Sequence, residues 1–171
     1  MDGPPAGRAA RVRVEAARFD AAAETARLTQ GRVDVGAVVT FTGLCRDEDG
    51  SLAALEIEHY PGMAEAEIGR VAAKALERWP LQGLVVIHRF GVIAPGEPIV
   101  FVGAASRHRA AAFAAAEFLM DFLKTSAPFW KKQRFAGAGD ASWVEAKAED
   151  DDAAARWDQA GGADRPPQGS A

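Results

Sequence analysis

The sequence predicts an α+β domain: a mostly antiparallel sheet with helices packed on it. Three observations carry that expectation. β-branched, alternating runs recur between turn signals, while two long segments repeat their apolar residues at helical spacing instead. The strand-rich runs are also joined by short turns such as Asp49-Gly50 and Ala94-Pro95-Gly96-Glu97, which suit antiparallel neighbours.

Residues 1–10 contain Pro4, Pro5 and two glycines and are expected to be disordered. Arg11 to Ala16 alternates, with Val12 and Val14 on one face, and reads as a short strand. Asp20 is placed to cap an Ala-rich helix from Ala21 to Leu28, which Gly31 closes. Val33 to Thr42 is β-branched and largely apolar, which predicts a central strand. Gly43 to Ser51 forms a polar loop, and Leu52 to Tyr60 is expected to return as the partner of the preceding strand. Pro61-Gly62 then turns the chain into a helix from Ala64 to Trp79. Its Ile68, Val71, Ala72, Ala75, Leu76 and Trp79 share one face, and Pro80 stops it.

Leu84 to Phe90 and Pro98 to Ala105 read as two more strands. Ser106 is expected to cap a long helix from Arg107 to Lys124, with Phe113, Ala116, Met120 and Leu123 in one stripe. Pro128 disfavours helical geometry at Ala127, so this helix should end near Thr125. A loop anchored by Phe129 and Trp130 is expected next, and Trp143 to Ala146 offers a last edge strand. The order is β-α-β-β-α-β-β-α-β, with the helices expected on one face of the sheet. Residues 11–148 form the expected domain. Residues 149–171 are expected to be an acidic surface helix and a disordered tail.

Composition narrows the function classes. The chain has 171 residues, which suits one domain with a real core. Its formal net charge of −4 argues against a general nucleic-acid binder, so any basic cluster must be local. The single cysteine, Cys45, excludes an intrachain disulfide and a CxxC metal site. No apolar run approaches membrane-spanning length and no signal-peptide pattern opens the chain, so a cytoplasmic protein is expected.

Cations come from three separated places. Arg46 follows the second strand, His108 and Arg109 open the long helix, and Lys124, Lys131 and Lys132 close it. A helix start with Arg109 beside it suits a phosphate or carboxylate, although the same residues also suit a solvated surface. Lys124 has two readings as well. A last-turn lysine gains about 0.3–1 kcal/mol from the helix dipole and needs no further reason. Partial desolvation between the buried helix and the aromatic anchor would instead lower its pKa and free it for acid/base work. His59 and His88 lie in strands without carboxylate or cysteine at metal-ligand spacing, and read as strand or core-edge histidines. Cys45 beside Arg46 is a rival nucleophile.

Five segments together resemble the large, catalytic subunit of molybdopterin synthase. They are VGAVVTFTGLCR (Val35 to Arg46), LEIEHYPGM (Leu55 to Met63), RWPL with VVIHRFG (Arg78 to Gly91), GEPIVFVGAASRHR (Gly96 to Arg109) and FLMDFLKTSAPFWKK (Phe118 to Lys132). The resemblance implies an α/β hammerhead type of fold and a sulfurtransferase of molybdenum cofactor biosynthesis with no metal and no cofactor of its own. Such enzymes convert cyclic pyranopterin monophosphate to the molybdopterin dithiolene. Their sulfur comes from the C-terminal Gly-Gly thiocarboxylate of a small ubiquitin-like sulfur-carrier subunit. The implied assembly is a homodimer of large subunits within a heterotetramer, with neither nucleic acid nor membrane as partner. Lys124 and Lys131 match the catalytic lysines, while Arg46, His108 and Arg109 match the group that binds the substrate phosphate, some of it from the paired subunit. Lys132 and Gln133 join the substrate-binding set, Gln133 standing where an acidic residue is expected in many relatives. A non-catalytic docking module for the ubiquitin-like tail is the competing reading, and a persulfide enzyme using Cys45 is a third.

Overall fold

The structure is a computed structural model that describes residues 10–137, 142–144 and 155–157. The elements are β1 (Ala10–Glu15), α1 (Ala21–Thr29), β2 (Ala37–Leu44), β3 (Leu52–His59), α2 (Met63–Arg78), β4 (Leu81–Arg89), β5 (Gly91–Ile93), β6 (Pro98–Ser106), α3 (Arg109–Thr125), β7 (Phe129–Phe135) and β8 (Ser142–Trp143). They build an α+β fold with two four-stranded sheets, ordered β1-β4-β6-β2 and β5-β3-β7-β8. β1 runs parallel to β4, and the remaining pairings are antiparallel. The expected disordered ends, and most of the expected acidic helix after residue 149, lie outside the described residues.

The two-sheet arrangement differs from the single sheet expected. β2 and β3 do not pair: β2 joins β6 through Thr40↔Gly103, while β3 joins β7 through Ile57↔Lys131. The reason lies in the loop between them. Asp47 accepts the N–H groups of Gly50 (3.0 Å) and Leu52 (3.2 Å), and Asp49 accepts those of Ser51 (3.1 Å) and its hydroxyl (2.6 Å). These bonds shape a wide polar turn that lets the strands separate instead of a tight hairpin. β2 is also an edge strand, not a central one, and Thr40, Phe41 and Thr42 are exposed.

β4 and β6 are the central strands, and both are buried on both faces. Leu84, Val86, Val102 and Ala104 cluster with Ile68, Val71 and Ala75 of α2 and with Ala115, Leu119 and Leu123 of α3. Val85, Ile87, Phe101 and Ala105 cluster on the other face with Phe19 and Leu28. Helices therefore cover both faces of this sheet, not one, and continuous apolar runs rather than alternation are what such strands require. Each fully buried aliphatic side chain contributes about 1.5–3 kcal/mol of transfer free energy. A Cβ on Gly103 would lie 2.8 Å from Leu28 Cδ1 and 3.0 Å from Phe101 Cε1, so the missing side chain makes room for Leu28 of α1 against β6.

Each helix boundary has a local cause. Asp20 Oδ1 accepts the N–H groups of Ala22 (2.9 Å) and Ala23 (3.1 Å), as its capping role predicts. Gly62, at φ 82°, turns into α2 and donates its N–H to Glu65 at 2.9 Å. α3 begins at Arg109 with His108 as its extended cap. Ser106 ends β6, fully buried, where its hydroxyl donates to the Pro80 carbonyl at 3.0 Å and accepts the N–H of the cap residue His108 at 3.4 Å, so it supports the helix start without being the cap itself. Phe113 is 62% exposed and lies off the buried stripe, which runs through Ala112, Ala115, Ala116, Leu119 and Leu123. α3 ends at Thr125, where the sequence places its end, and its cap Ser126 donates to Phe122 O at 2.8 Å.

Phe129 to Phe135 is a strand and not the anchored loop expected. Alternation explains it: Phe129, Lys131, Gln133 and Phe135 share one face, and Trp130, Lys132 and Arg134 the other. The inner face of this second sheet closes a small core of Cys45, Leu52, Leu55, Ile57 and Ile93, against which Phe129 and Phe135 pack.

Residues 155–157 form a helical segment clamped onto α2 and α3. Trp157 stands edge-on to Trp79 (5.8 Å) and Phe118 (5.4 Å), and its indole N–H donates to Asp121 Oδ2 at 2.5 Å. Arg156 reaches Asp121 at 2.8 Å and Glu117 at 2.9 Å, exposed ion pairs that add little by themselves. Trp157→Ala is expected to remove the aromatic clamp and destabilise the fold by about 1–3 kcal/mol, less than a fully buried tryptophan would. Thermal unfolding measures this, and a chain ending at Gln159 should melt with the full-length protein.

Candidate active site

A cavity of about 800 Å³ opens where α3, β7 and the end of β2 meet. Its wall includes Cys45 and Arg46 after β2, Leu52 and Leu55 of β3, His88 of β4, Ile99 and Val100 of β6, Met120, Leu123 and Lys124 of α3, and Lys131, Gln133 and Phe135 of β7. The two lysines meet there for simple reasons. Lys124 occupies the last turn of α3, and only Ser126, Ala127 and Pro128 separate that helix from β7. Lys131 then leaves the inner face of β7, with Phe129 and Gln133 as its same-face neighbours.

Alternation sends Lys132 the other way. Its Nζ pairs with Glu58 at 2.5 Å and lies 4.2 Å from the centre of the Trp143 ring, on the outer face of the sheet. Lys132 is thus absent from the cavity wall, whereas Gln133 is part of it. Arg46 stands at the rim, 74% exposed and paired with Glu48. His108 and Arg109 are exposed at the opposite end of α3. Fifteen residues at 1.5 Å per residue put Arg109 about 22 Å along the helix from Lys124. One chain therefore gathers Lys124, Lys131, Arg46 and Gln133 and leaves His108 and Arg109 elsewhere.

Burial refines the chemistry expected of each group. Lys124 is exposed, so within this chain alone the plain reading of a last-turn lysine holds and partial desolvation is not supplied. Cys45 shows the reverse. It is 3% exposed, and burial pushes its thiol up from the ordinary range, away from a reactive thiolate. Its backbone has a structural task, donating to Glu97 O at 2.8 Å and accepting from Gly96 N–H at 2.7 Å.

His88 is the wall residue whose part in the cavity the sequence did not disclose. It is 3% exposed and its ring stacks flat on Phe129, with centroids 3.8 Å apart and planes 12° apart. Nδ1 lies 2.8 Å from the Arg89 carbonyl oxygen. Burial above all, with the nearby Lys131 charge assisting, pushes its pKa down to about 4, and the Arg89 bond opposes this without prevailing. His88 is therefore neutral at pH 7. The signal for burial was present in the apolar residues before it, Val85 to Ile87, but nothing local pointed to a cavity formed with a distant strand.

Comparison with known proteins bears on the family and the fold. The MoaE protein family matches residues 14–126. The molybdopterin synthase catalytic subunit of Mesorhizobium japonicum is 68% identical over 146 residues, covering 85% of this chain and 92% of that protein. A molybdopterin biosynthesis MoaE protein from Burkholderia ambifaria superimposes with a TM-score of 0.74 at 43% identity, over 87% of this chain and 98% of that one. A protein-protein complex of subunits 1 and 2 of molybdopterin-converting factor from Helicobacter pylori shares the fold with a TM-score of 0.60 at 21% identity, over 81% of this chain and 90% of that one. On the family match and the 68% identity to a relative of nearly equal length, the chain belongs to the MoaE family.

Proposed function

We propose that the cavity beside Lys124 and Lys131 is the sulfur-transfer site of a molybdopterin synthase catalytic subunit. The observation that carries this is the convergence of two lysines from different elements on one cavity of about 800 Å³, in a chain of this family. The substrate in this reading is cyclic pyranopterin monophosphate. The sulfur donor is the Gly-Gly thiocarboxylate of a small ubiquitin-like subunit whose tail enters the cavity. The thiocarboxylate sulfur bonds to a side-chain carbon of the pterin and displaces the oxygen that carbon carried, and water then displaces the sulfur from the acyl carbon. The tail is left as a carboxylate and the sulfur stays on the product. Two tails in succession complete the dithiolene, and the site of action is the cytoplasm.

The acyl carbon passes through a tetrahedral centre whose oxygen gains negative charge. A fixed ammonium beside it stabilises that charge most when water is excluded. Lys124 suits this role at the open end of the cavity, and the incoming tail supplies the cover that the single chain lacks. Lys131, set deeper on β7, suits proton transfer to the displaced group. Arg46 at the rim can hold the substrate phosphate once the phosphate replaces Glu48 as its partner.

His108 and Arg109 enter the same reading from a second copy of the chain. Both are exposed, and Phe113, one helical turn beyond Arg109 on the same side, leaves an aromatic ring 62% exposed beside them. A dimer contact over this end of α3 would bury that ring and carry the two cations to the neighbour's pocket.

Lys124→Ala is expected to lower turnover by two to three powers of ten, about 3–4 kcal/mol of transition-state stabilisation, with the fold intact. Cys45→Ala should stay within a small factor of wild type. Both are assayed with thiocarboxylated partner after its binding is confirmed, and the reverse pattern would move the chemistry to the thiol. A wild type that binds the tail but makes no product would leave only a docking module.

Arg109→Ala should weaken substrate binding, with a smaller difference at high salt as screening erodes the wild-type advantage. Co-assembling Lys124→Ala and Arg109→Ala chains should restore part of the activity that either lacks alone, because mixed dimers keep one intact site. A mixture no more active than its parts would remove Arg109 from the neighbour's pocket.

A further inference from the structure

We propose that His88 is a positioning residue for Lys131, orienting its ammonium in the cavity through an uncharged imidazole nitrogen. The inference deepens the sulfur-transfer reading and rests on it. It begins with placement. His88 lies near the end of β4 in the first sheet, yet its ring rests on Phe129 of β7 in the second. Phe129 and Lys131 share one face of β7, about 6.6 Å apart at the usual rise per residue. His88 and Lys131 both line the cavity, and the lysine's charge is near enough to oppose protonation of the imidazole.

The hydrogen bond to Arg89 then fixes the tautomer. A carbonyl oxygen can only accept, so Nδ1 carries the ring proton and Nε2 carries the lone pair. With the pKa held at about 4, Nε2 stays an acceptor throughout the neutral range. An acceptor that stays uncharged across the neutral range is the complement an ammonium needs in a confined site, since it orients without neutralising or repelling. Stacking alone does not account for the residue type. A phenyl ring would rest on Phe129 equally well and would leave no ring nitrogen to desolvate.

The experiment compares His88→Phe, His88→Gln and His88→Asn in the complex with thiocarboxylated partner. Glutamine can place an amide oxygen near the Nε2 position, whereas asparagine reaches only the Nδ1 position and the Arg89 bond. Turnover is expected to fall on the order of 10–100-fold in His88→Phe and in His88→Asn, with KM for the pterin little changed. His88→Gln should recover most of that loss. On a Lys131→Ala background, His88→Phe should cause no further fall, because its effect passes through the lysine.

Should His88→Phe fail to fold, the glutamine and asparagine pair decides the question. Asparagine as active as wild type, or a full second loss on the Lys131→Ala background, would show a role in the Arg89 bond or the stack alone and overturn the inference. A wild type that turns over beside an equally active His88→Phe also overturns it while sparing the sulfur-transfer reading. A wild type that makes no product overturns both.

Discussion

Three residues, Ser126 to Pro128, join the end of α3 to the start of β7, and the cavity depends on that short link. Pro128 cannot continue the helix, and Ser126 and Ala127 both return their N–H groups to Phe122 O, at 2.8 and 3.1 Å. The chain must therefore leave the helix at once and enter a strand pointing back along the second sheet. Lys124 is held by a helix whose Leu119 and Leu123 are locked into the main core. Lys131 is held by a strand whose Phe129 and Phe135 are locked into the smaller one. Two cores thus fix the backbone positions from which the two lysines extend, and the link sets how those positions lie relative to each other.

Much of this was legible in the sequence where periodicity spoke plainly. The Asp20 cap, the α2 face and the end of α3 at Thr125 each follow from residues within one or two turns of the feature. What escaped was decided by residues far apart. The separation of β2 from β3 depends on how Asp47 and Asp49 fold their own loop, and a turn dipeptide alone does not reveal that. β7 was hidden because its alternation is carried by lysines, a glutamine and an arginine as well as aromatics, so its inner face does not look apolar.

The site shows the same division. Lys124 and Lys131 stood out as cations framed by aromatic anchors. Their neighbours by number, Lys132 and Gln133, could not be sorted without the strand, because period two alone decides which face each takes. The distance of His108 and Arg109 from the lysines follows from helix length, yet the sequence groups them only by charge. His88 was legible as buried and illegible as a wall of the cavity, because its stacking partner lies 41 positions along the chain in the other sheet.

The exposure of Lys124 has a consequence for how stability and activity relate. Two unit charges 4 Å apart interact by about 1 kcal/mol in bulk water and about 4 kcal/mol at an effective dielectric constant of 20. A lysine left in water by its own chain imposes no desolvation penalty on folding, so this protein need not trade a weaker core for a stronger ammonium. The strength of that group belongs to whatever closes over it. Changes in the covering surface can then alter the strength of that group without touching the residues that bury this chain's core.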